Sequence, residues 1–345
     1  MPMNLGRLPL IDALKAVGSQ LIVLHHLAFY GPMSDWTQRL APDLVRWFSQ
    51  DARMAVQVFL VIAGFLAARS LAPQGVLRIA TPLRALRQRY VRTALPYLAA
   101  LVVSVLCTEL ARQWMTHDSI PDPATAWQWF THALLIHSLL DVDALSAGVW
   151  YVAIDFQLFA LLLGLLWLAR GVGRGAAVWV VCLVALASLY GFNRDADWDV
   201  WAVYFFGAYG LGVLTAWGSA PDARWHMRGV WLVLVVLTVG ALWVDFRERI
   251  ALALCVSLLL GWAQHGQWLQ RWPRSQWLGY LGKISYSVFL LNFPVALVVN
   301  AAFQRFAPAD PMWQSAGVLL GWLACNVAGA LFYHGVESRL ARTKR

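Results

Sequence analysis

Ten stretches of this 345-residue chain are apolar, almost free of charge and close to one bilayer thickness as helices: 8–30, 54–71, 91–111, 149–169, 176–193, 200–217, 229–246, 249–264, 278–303 and 313–336. A helix of roughly 20 apolar residues crosses the hydrocarbon core of a membrane. Composition closes off the other classes, because 60% of the residues are hydrophobic and only 13% are charged. A soluble chain of this length has too little polar surface to cover such a core, and a disordered or fibrous chain is not this apolar. The expected fold is all-α, a polytopic membrane bundle of about ten transmembrane helices that forms one domain over 1–345.

Loop charge orients that bundle. There are 27 basic and 18 acidic residues, a formal charge of +9. The basic residues gather in short loops between apolar runs, where they set orientation rather than bind nucleic acid. The 69–92 loop holds Arg69, Arg78, Arg84, Arg87, Arg89 and Arg92 with no acid, which makes it cytoplasmic. Counting outward, Arg170 and Arg174, Arg224 and Arg228, Arg271 and Arg274, and the tail with Arg339, Arg342, Lys344 and Arg345 fall on the same side. Asp118, Asp122, Asp141 and Asp143, then Asp195, Asp197 and Asp199, fill the opposite loops. Ten spans keep this alternation and eleven break it, so both termini are expected in the cytoplasm. The first run lacks a small-residue cleavage pattern and reads as a retained span.

An eleventh apolar run, Trp127 to Leu140, is too short to cross and reads as an interfacial or re-entrant segment. It lies in the longest stretch between spans, 112–148, which is expected to fold as an extracytoplasmic cap over one mouth of the bundle. Cys107, Cys182, Cys255 and Cys325 all lie in apolar runs without a CxxC pair. They indicate neither a disulfide framework nor a metal site, but buried small hydrophobes.

Ionisable groups inside spans are costly and mark function. The first run holds Asp12, Lys15, His25 and His26. Eleven residues separate Lys15 from His26, so the two share a face about 16 Å apart along the axis, with His25 turned about 100° away. Asp12 lies one turn before Lys15 and can pair with it, an arrangement that also serves as an interfacial anchor. In the fourth run, Asp155 lies at a depth similar to His26. It can orient the imidazole of a general base or form a buried polar bridge. Arg84, Arg87, Arg89 and Arg92 gather at the cytoplasmic mouth, where their forked donors suit the phosphates of a coenzyme or anionic lipid headgroups.

These residues fall in blocks that resemble the acyltransferase-3 family of bacterial membrane O-acyltransferases. "IDALKAVGSQLIVLHH" is similar to the family's Asp-x-x-Arg/Lys start with a following His, which maps Asp12, Lys15 and His26. "VFLVIAGFL" resembles its F-F-V-I-S-G-F-L, with Ala63 at the Ser. "RYVRTALPY" matches its arginine pair and Pro-Tyr, giving Arg89, Arg92, Pro96 and Tyr97, and "VWYVAIDFQLF" matches W-x-L-x-x-E-x-Q-F-Y at Trp150, Asp155 and Gln157. "LGKISYSVFLLNFPV" resembles a late block and maps Gly282, Ser285, Tyr286 and Pro294. Asp155 stands where Glu is frequent, and Asn292 where His is frequent, which removes a titrating group.

The resemblance implies transfer of an acyl group, usually acetyl, from cytoplasmic acetyl-CoA or another acyl-CoA to a hydroxyl of a glycan, a lipid-linked sugar or a glycosylated metabolite. It places the chain as a multi-pass protein of the bacterial inner membrane, with no permanently bound cofactor. His26 is then the general base, Asp155 its orienting partner, and Lys15 with Arg84, Arg87, Arg89 and Arg92 the donor site. Some members carry an extra esterase-like domain, so this chain is expected to finish the transfer alone or with a partner. A transporter or flippase of a glycan or lipid is the alternative, but the inverted repeats that class often shows are not visible.

Overall fold

Each apolar run folds into one long helix. The computed structural model describes residues 7–173 and 175–342, with backbone alone for the last two. Its helices are α1 (Pro9–Phe29), α2 (Pro32–Thr37), α3 (Pro42–Gln50), α4 (Val56–Leu71), α5 (Pro82–Trp114), α6 (Ala126–Ala133) and α7 (Trp150–Ala169). They continue with α8 (Ala176–Tyr190), α9 (Ala202–Gly218), α10 (Trp225–Val244), α11 (Glu248–His265), α12 (Gln276–Phe306), α13 (Pro311–Phe332) and α14 (Ser338–Arg342). No strand occurs among the described residues. Seven helical stretches among them are long and apolar enough to cross a membrane. Of the ten runs, α1, α9 and α11 fall outside that set. The first carries Asp12 and Lys15, α9 has only 17 residues, and α11 opens with Glu248 and Arg249.

Local chemistry sets the helix starts. Proline stands in the first turn of α2, α3, α5 and α13, where its missing N–H costs nothing. Asp310 caps α13 by accepting from the Met312 and Trp313 amides at 2.9 and 3.2 Å. Thr125 and Gln128 form a capping box for α6.

The chain divides into two units, one of 1–14, 56–89 and 154–279, the other of 15–55, 90–153 and 280–345. In the first unit α9 is buried along its whole length and is packed by α4, α8, α10 and α11. Small residues permit this: a Cβ on Gly64 of α4 would lie 2.0 Å from the Tyr209 carbonyl oxygen, and one on Gly212 of α9 the same distance from that of Val61. The two backbones therefore touch directly, as helices in membranes do through small residues. In the second unit Val23, Leu27, Met33, Val288, Ala296 and Cys325 form a core that joins α1, α12 and α13. Gln20, Trp322 and Asn326 add a hydrogen-bonded ladder between α1 and α13, at 2.7 to 3.0 Å. Outward faces remain apolar, with Val236 and Trp243 of α10 and Leu319 and Leu331 of α13 exposed, a surface that only lipid accommodates.

Two expectations change and another gains detail. First, α5 starts at Pro82, so Arg84, Arg87, Arg89 and Arg92 are helical rather than loop residues. Leu, Ala, Arg and Gln are strong helix formers, and nothing breaks the run before the apolar part begins. Second, the stretch between α5 and α7, expected as a cap with an interfacial or re-entrant segment, packs against α5. The Ser104 hydroxyl bonds the Leu145 carbonyl at 3.1 Å, and the Tyr90 hydroxyl bonds that of Ala133. Tyr90 lies 24 residues before Trp114, the last residue of α5. The stretch therefore returns along α5 for about 36 Å. Third, the four cysteines are free, but only Cys182 and Cys325 are buried, while Cys255 is exposed on the outer face of α11.

Candidate active site

Because α1 is unbroken from Pro9 to Phe29, Lys15 and His26 keep the shared face that their spacing predicts. His26 is buried at 5% exposure, and its Nδ1 is hydrogen-bonded to Asn292 Oδ1. The amide's orientation follows from its other end, since Asn292 Nδ2 donates to the Phe289 carbonyl at 2.7 Å. That leaves the amide oxygen facing the ring as an acceptor, so Nδ1 carries the proton and Nε2 keeps its lone pair. Gly148 lies beside this basic edge with φ +79°. A Cβ there would come within 3.3 Å of Cε1 and 3.7 Å of Nε2. Tyr30 and Phe293 present edges to the ring at centroid distances of 5.3 and 6.2 Å. His25 turns aside, with Nδ1 3.1 Å from the Phe48 carbonyl oxygen.

Lys15 belongs to a charged group that the spacing alone did not reveal. Glu337 accepts from the Ser287 hydroxyl at 2.5 Å, and both Lys15 and Arg92 act on its carboxylate. It closes the π-helical turn Tyr333–Glu337, a distortion that often marks a functional position. Asp12 forms an ion pair with Arg7 at 2.8 Å.

In the other unit Asp155 forms an ion pair with Arg89 at 2.5 Å. Arg89 also lies over the Phe159 ring, its guanidinium carbon 5.2 Å from the centroid, and buried Tyr209 is close enough to feel both charges. Asp155 stands 14 residues before Ala169, which ends α7, and Tyr209 nine before Gly218, which ends α9. Those intervals are about 21 and 14 Å of helix. Arg89 thus meets its partner well inside the helical layer, not at the mouth. The reason is angular: Arg89 sits about 140° round α5 from Arg84, so the four arginines do not share one face. Arg84, Arg87 and Arg92 are exposed.

The sequence expectation pairs Asp155 with His26; the hydrogen bond at His26 Nδ1 is to Asn292, and the Asp155 carboxylate is ion-paired with Arg89. Of the remaining residues, Tyr286 donates to the Thr93 carbonyl at 2.9 Å. The Ser285 hydroxyl bonds the Gly282 carbonyl of its own helix, also at 2.9 Å. Trp150 packs edge-on to Tyr151. Gln157 Nε2 is buried with no hydrogen-bond partner among the described residues. Glu337 and Gly148 were missed. Glu337 had a signal, an acid at the edge of the last apolar run, whereas nothing in the sequence sets Gly148 beside a histidine.

The sequence model of the acyltransferase-3 family, described as an acyltransferase domain, matches residues 8–332, nearly the whole chain. No curated protein and no solved structure matches it. A family match of this extent, on a chain whose helices are of membrane length, leads to one conclusion: the protein belongs to the acyltransferase-3 family and is a multi-pass membrane acyltransferase.

Proposed function

We propose that this acyltransferase moves an acetyl group from cytoplasmic acetyl-CoA to a hydroxyl of a glycan or lipid-linked sugar. In this reading ten helices cross the bacterial inner membrane and both termini are cytoplasmic. The observation that carries it is the His26–Asn292 pair, in which the amide oxygen accepts from Nδ1 and the lone pair of Nε2 is left beside Gly148.

The acceptor hydroxyl gives its proton to His26 Nε2 as its oxygen attacks the thioester carbonyl carbon. The tetrahedral adduct then collapses, the carbon–sulfur bond breaks, and the proton passes from Nε2 to the leaving sulfur. General base catalysis of this kind is typically worth about 10²–10⁴-fold. Asn292 is a positioning residue. Lys15 and Arg92, near enough to Glu337 to act on its carboxylate electrostatically, supply positive charge along the face of α1 that leads to His26. The Asp155–Arg89 pair builds the wall of the first unit rather than moving the proton.

Purified full-length protein in nanodiscs, given acetyl-CoA, tests this by release of free coenzyme thiol. Acceptor-dependent release, with surface glycans of a deletion strain lighter by one acetyl group, is the expected result. If no acyl-CoA is consumed under any acceptor, the donor assignment is wrong.

A further inference from the structure

At one end of the first unit, a cavity of about 500 Å³ opens between the loop after α4, the α9–α10 turn and the end of α11. Its lining is strongly polar: Arg69, Arg78 and Arg271, the glutamines Gln74, Gln264, Gln267 and Gln270, and a single acid, Asp222. None of the three arginines has a carboxylate at ion-pair distance among the described residues. Arg69 is instead held by neutral groups. It donates to Gln264 Oε1 at 3.1 Å and lies over the Phe65 ring, while Gln264 Nε2 is anchored on the Ala216 carbonyl at 3.0 Å. The charge is fixed in place and left unneutralised.

Three helices end at this cavity, and cations at helix C-termini ordinarily serve the exposed carbonyls. Here several of those carbonyls are already bonded by backbone amides. The amides of Gly266, Gln267, Trp268 and Leu269 close α11, that of Ser219 bonds Thr215 in α9, and that of Arg78 bonds Leu71 at the end of α4. Trp217 Nε1 bonds the Ala72 carbonyl at 2.6 Å and ties the loop to α9. The side chains of Arg78 and Arg271 are exposed in loops and are not consumed as caps. Three like charges around one concavity raise its potential and favour an anion there. Forked guanidinium donors match phosphate oxygens, and the amides of Gln74, Gln267 and Gln270 match hydroxyl or amide groups beside them. The volume suits a small ligand.

We propose that this cavity binds the phosphate-bearing head of a ligand, with Arg78 and Arg271 on the phosphates and Arg69 as the fixed cation behind them. The three loops are those whose charge assigns them to the cytoplasm, so two sources share this chemistry: the nucleotide end of a soluble coenzyme and the headgroup of an anionic lipid. The first source rests on the acyl-donor reading above.

Binding of adenosine 3′,5′-bisphosphate to the full chain in phosphatidylcholine nanodiscs, with and without phosphatidylglycerol, separates these sources. The variants are Arg78→Glu with Arg271→Glu, and Arg274→Glu as a control that makes one such charge reversal outside the cavity. Calorimetry should show the double variant weakened by on the order of tenfold or more, since each lost guanidinium–phosphate contact is a charge-assisted one. The control should stay within about twofold, and thermal unfolding should be alike in all three. Loss of co-purifying phosphatidylglycerol in the double variant, with no nucleotide binding to either protein, assigns the site to lipid. Unchanged nucleotide binding and unchanged lipid retention overturn the proposal. The KM for acetyl-CoA, measured on the same samples, rises if the head belongs to the donor. Nucleotide binding in a protein that transfers no acyl group leaves the cavity standing and removes the donor reading instead.

Discussion

An imidazole works as a general base only through the nitrogen that its neighbours leave unprotonated. At His26 that choice is made by one amide, which is itself fixed by the Phe289 carbonyl. His26→Ala should abolish transfer, whereas His25→Ala, which removes only a bond to the Phe48 carbonyl, should keep most of it. Asn292→Leu should lower kcat by on the order of 10²-fold with KM for acetyl-CoA little changed, because the base remains but its tautomer is free. Asn292→Asp keeps an acceptor and should recover much of the rate. Acetyl-CoA turnover by all four proteins in one nanodisc preparation decides this, and equal losses at His25 and His26 would refute the assignment. Arg89 and Asp155 answer to a different rule. Arg89→Ala leaves a buried carboxylate without its cation and should cost roughly 3–5 kcal/mol of stability. Adding Asp155→Asn should restore most of that. A double variant as unstable as Arg89→Ala, read by thermal unfolding, would mean that Arg89 is needed for something other than the pair.

Helices in this chain are held by contact distance as much as by apolar area. Gly64 and Gly212 let α4 and α9 touch backbone to backbone. Gly64→Val places a branched side chain on the Tyr209 carbonyl and should prevent stable folding, seen as loss of the monodisperse peak in detergent. Gly229 on α10 has nothing within 4 Å of its would-be Cβ, so Gly229→Ala should be neutral or stabilising by up to about 1 kcal/mol. The returning segment after α5 carries a pH dependence. His137 is fully buried against His132, the rings stacked at 4.0 Å. Burial, with His132 alongside, lowers its pKa from 6.5 to about 3. Burial also lowers that of His132, whose Nε2 accepts the Leu145 amide at 3.1 Å. The folded segment therefore refuses protons that the opened one takes up. Its stability is full above 6.5 and falls as pH drops from there toward 3. Protection against hydrogen exchange across 126–145, taken relative to the intrinsic rate at each pH, should fall between pH 6.5 and pH 5, and His137→Phe should blunt the change. Protection that is flat over that interval would contradict a neutral buried pair.

For the whole molecule, loop charge predicts a topology in which the basic loops face the cytoplasm. Cysteines introduced at Asp118 and at Asp197 should react with an impermeant maleimide from outside intact cells, and one at Arg274 only after lysis. Labelling of Arg274→Cys from outside would invert the topology.

Much of this was legible in the chain itself. Apolar runs place ten helices, seven of which lie in stretches long and apolar enough to cross a membrane among the described residues, and the rise of α1 alone puts Lys15 and His26 on one face. The family likeness rests on short blocks that survive in order. Pairing was not legible. Asn292 lies 266 residues from His26, and nothing in either run says that an amide rather than Asp155 meets the imidazole. Arg89 looked like its neighbours in a basic cluster, yet a rotation of about 140° on α5 turned it inward to a carboxylate. Periodicity specifies which face a residue occupies and how deep it lies. Only the packing of helix against helix, set here by glycines, by a proline-started α5 and by a segment that folds back along it, decides which of two residues at similar depth becomes the partner.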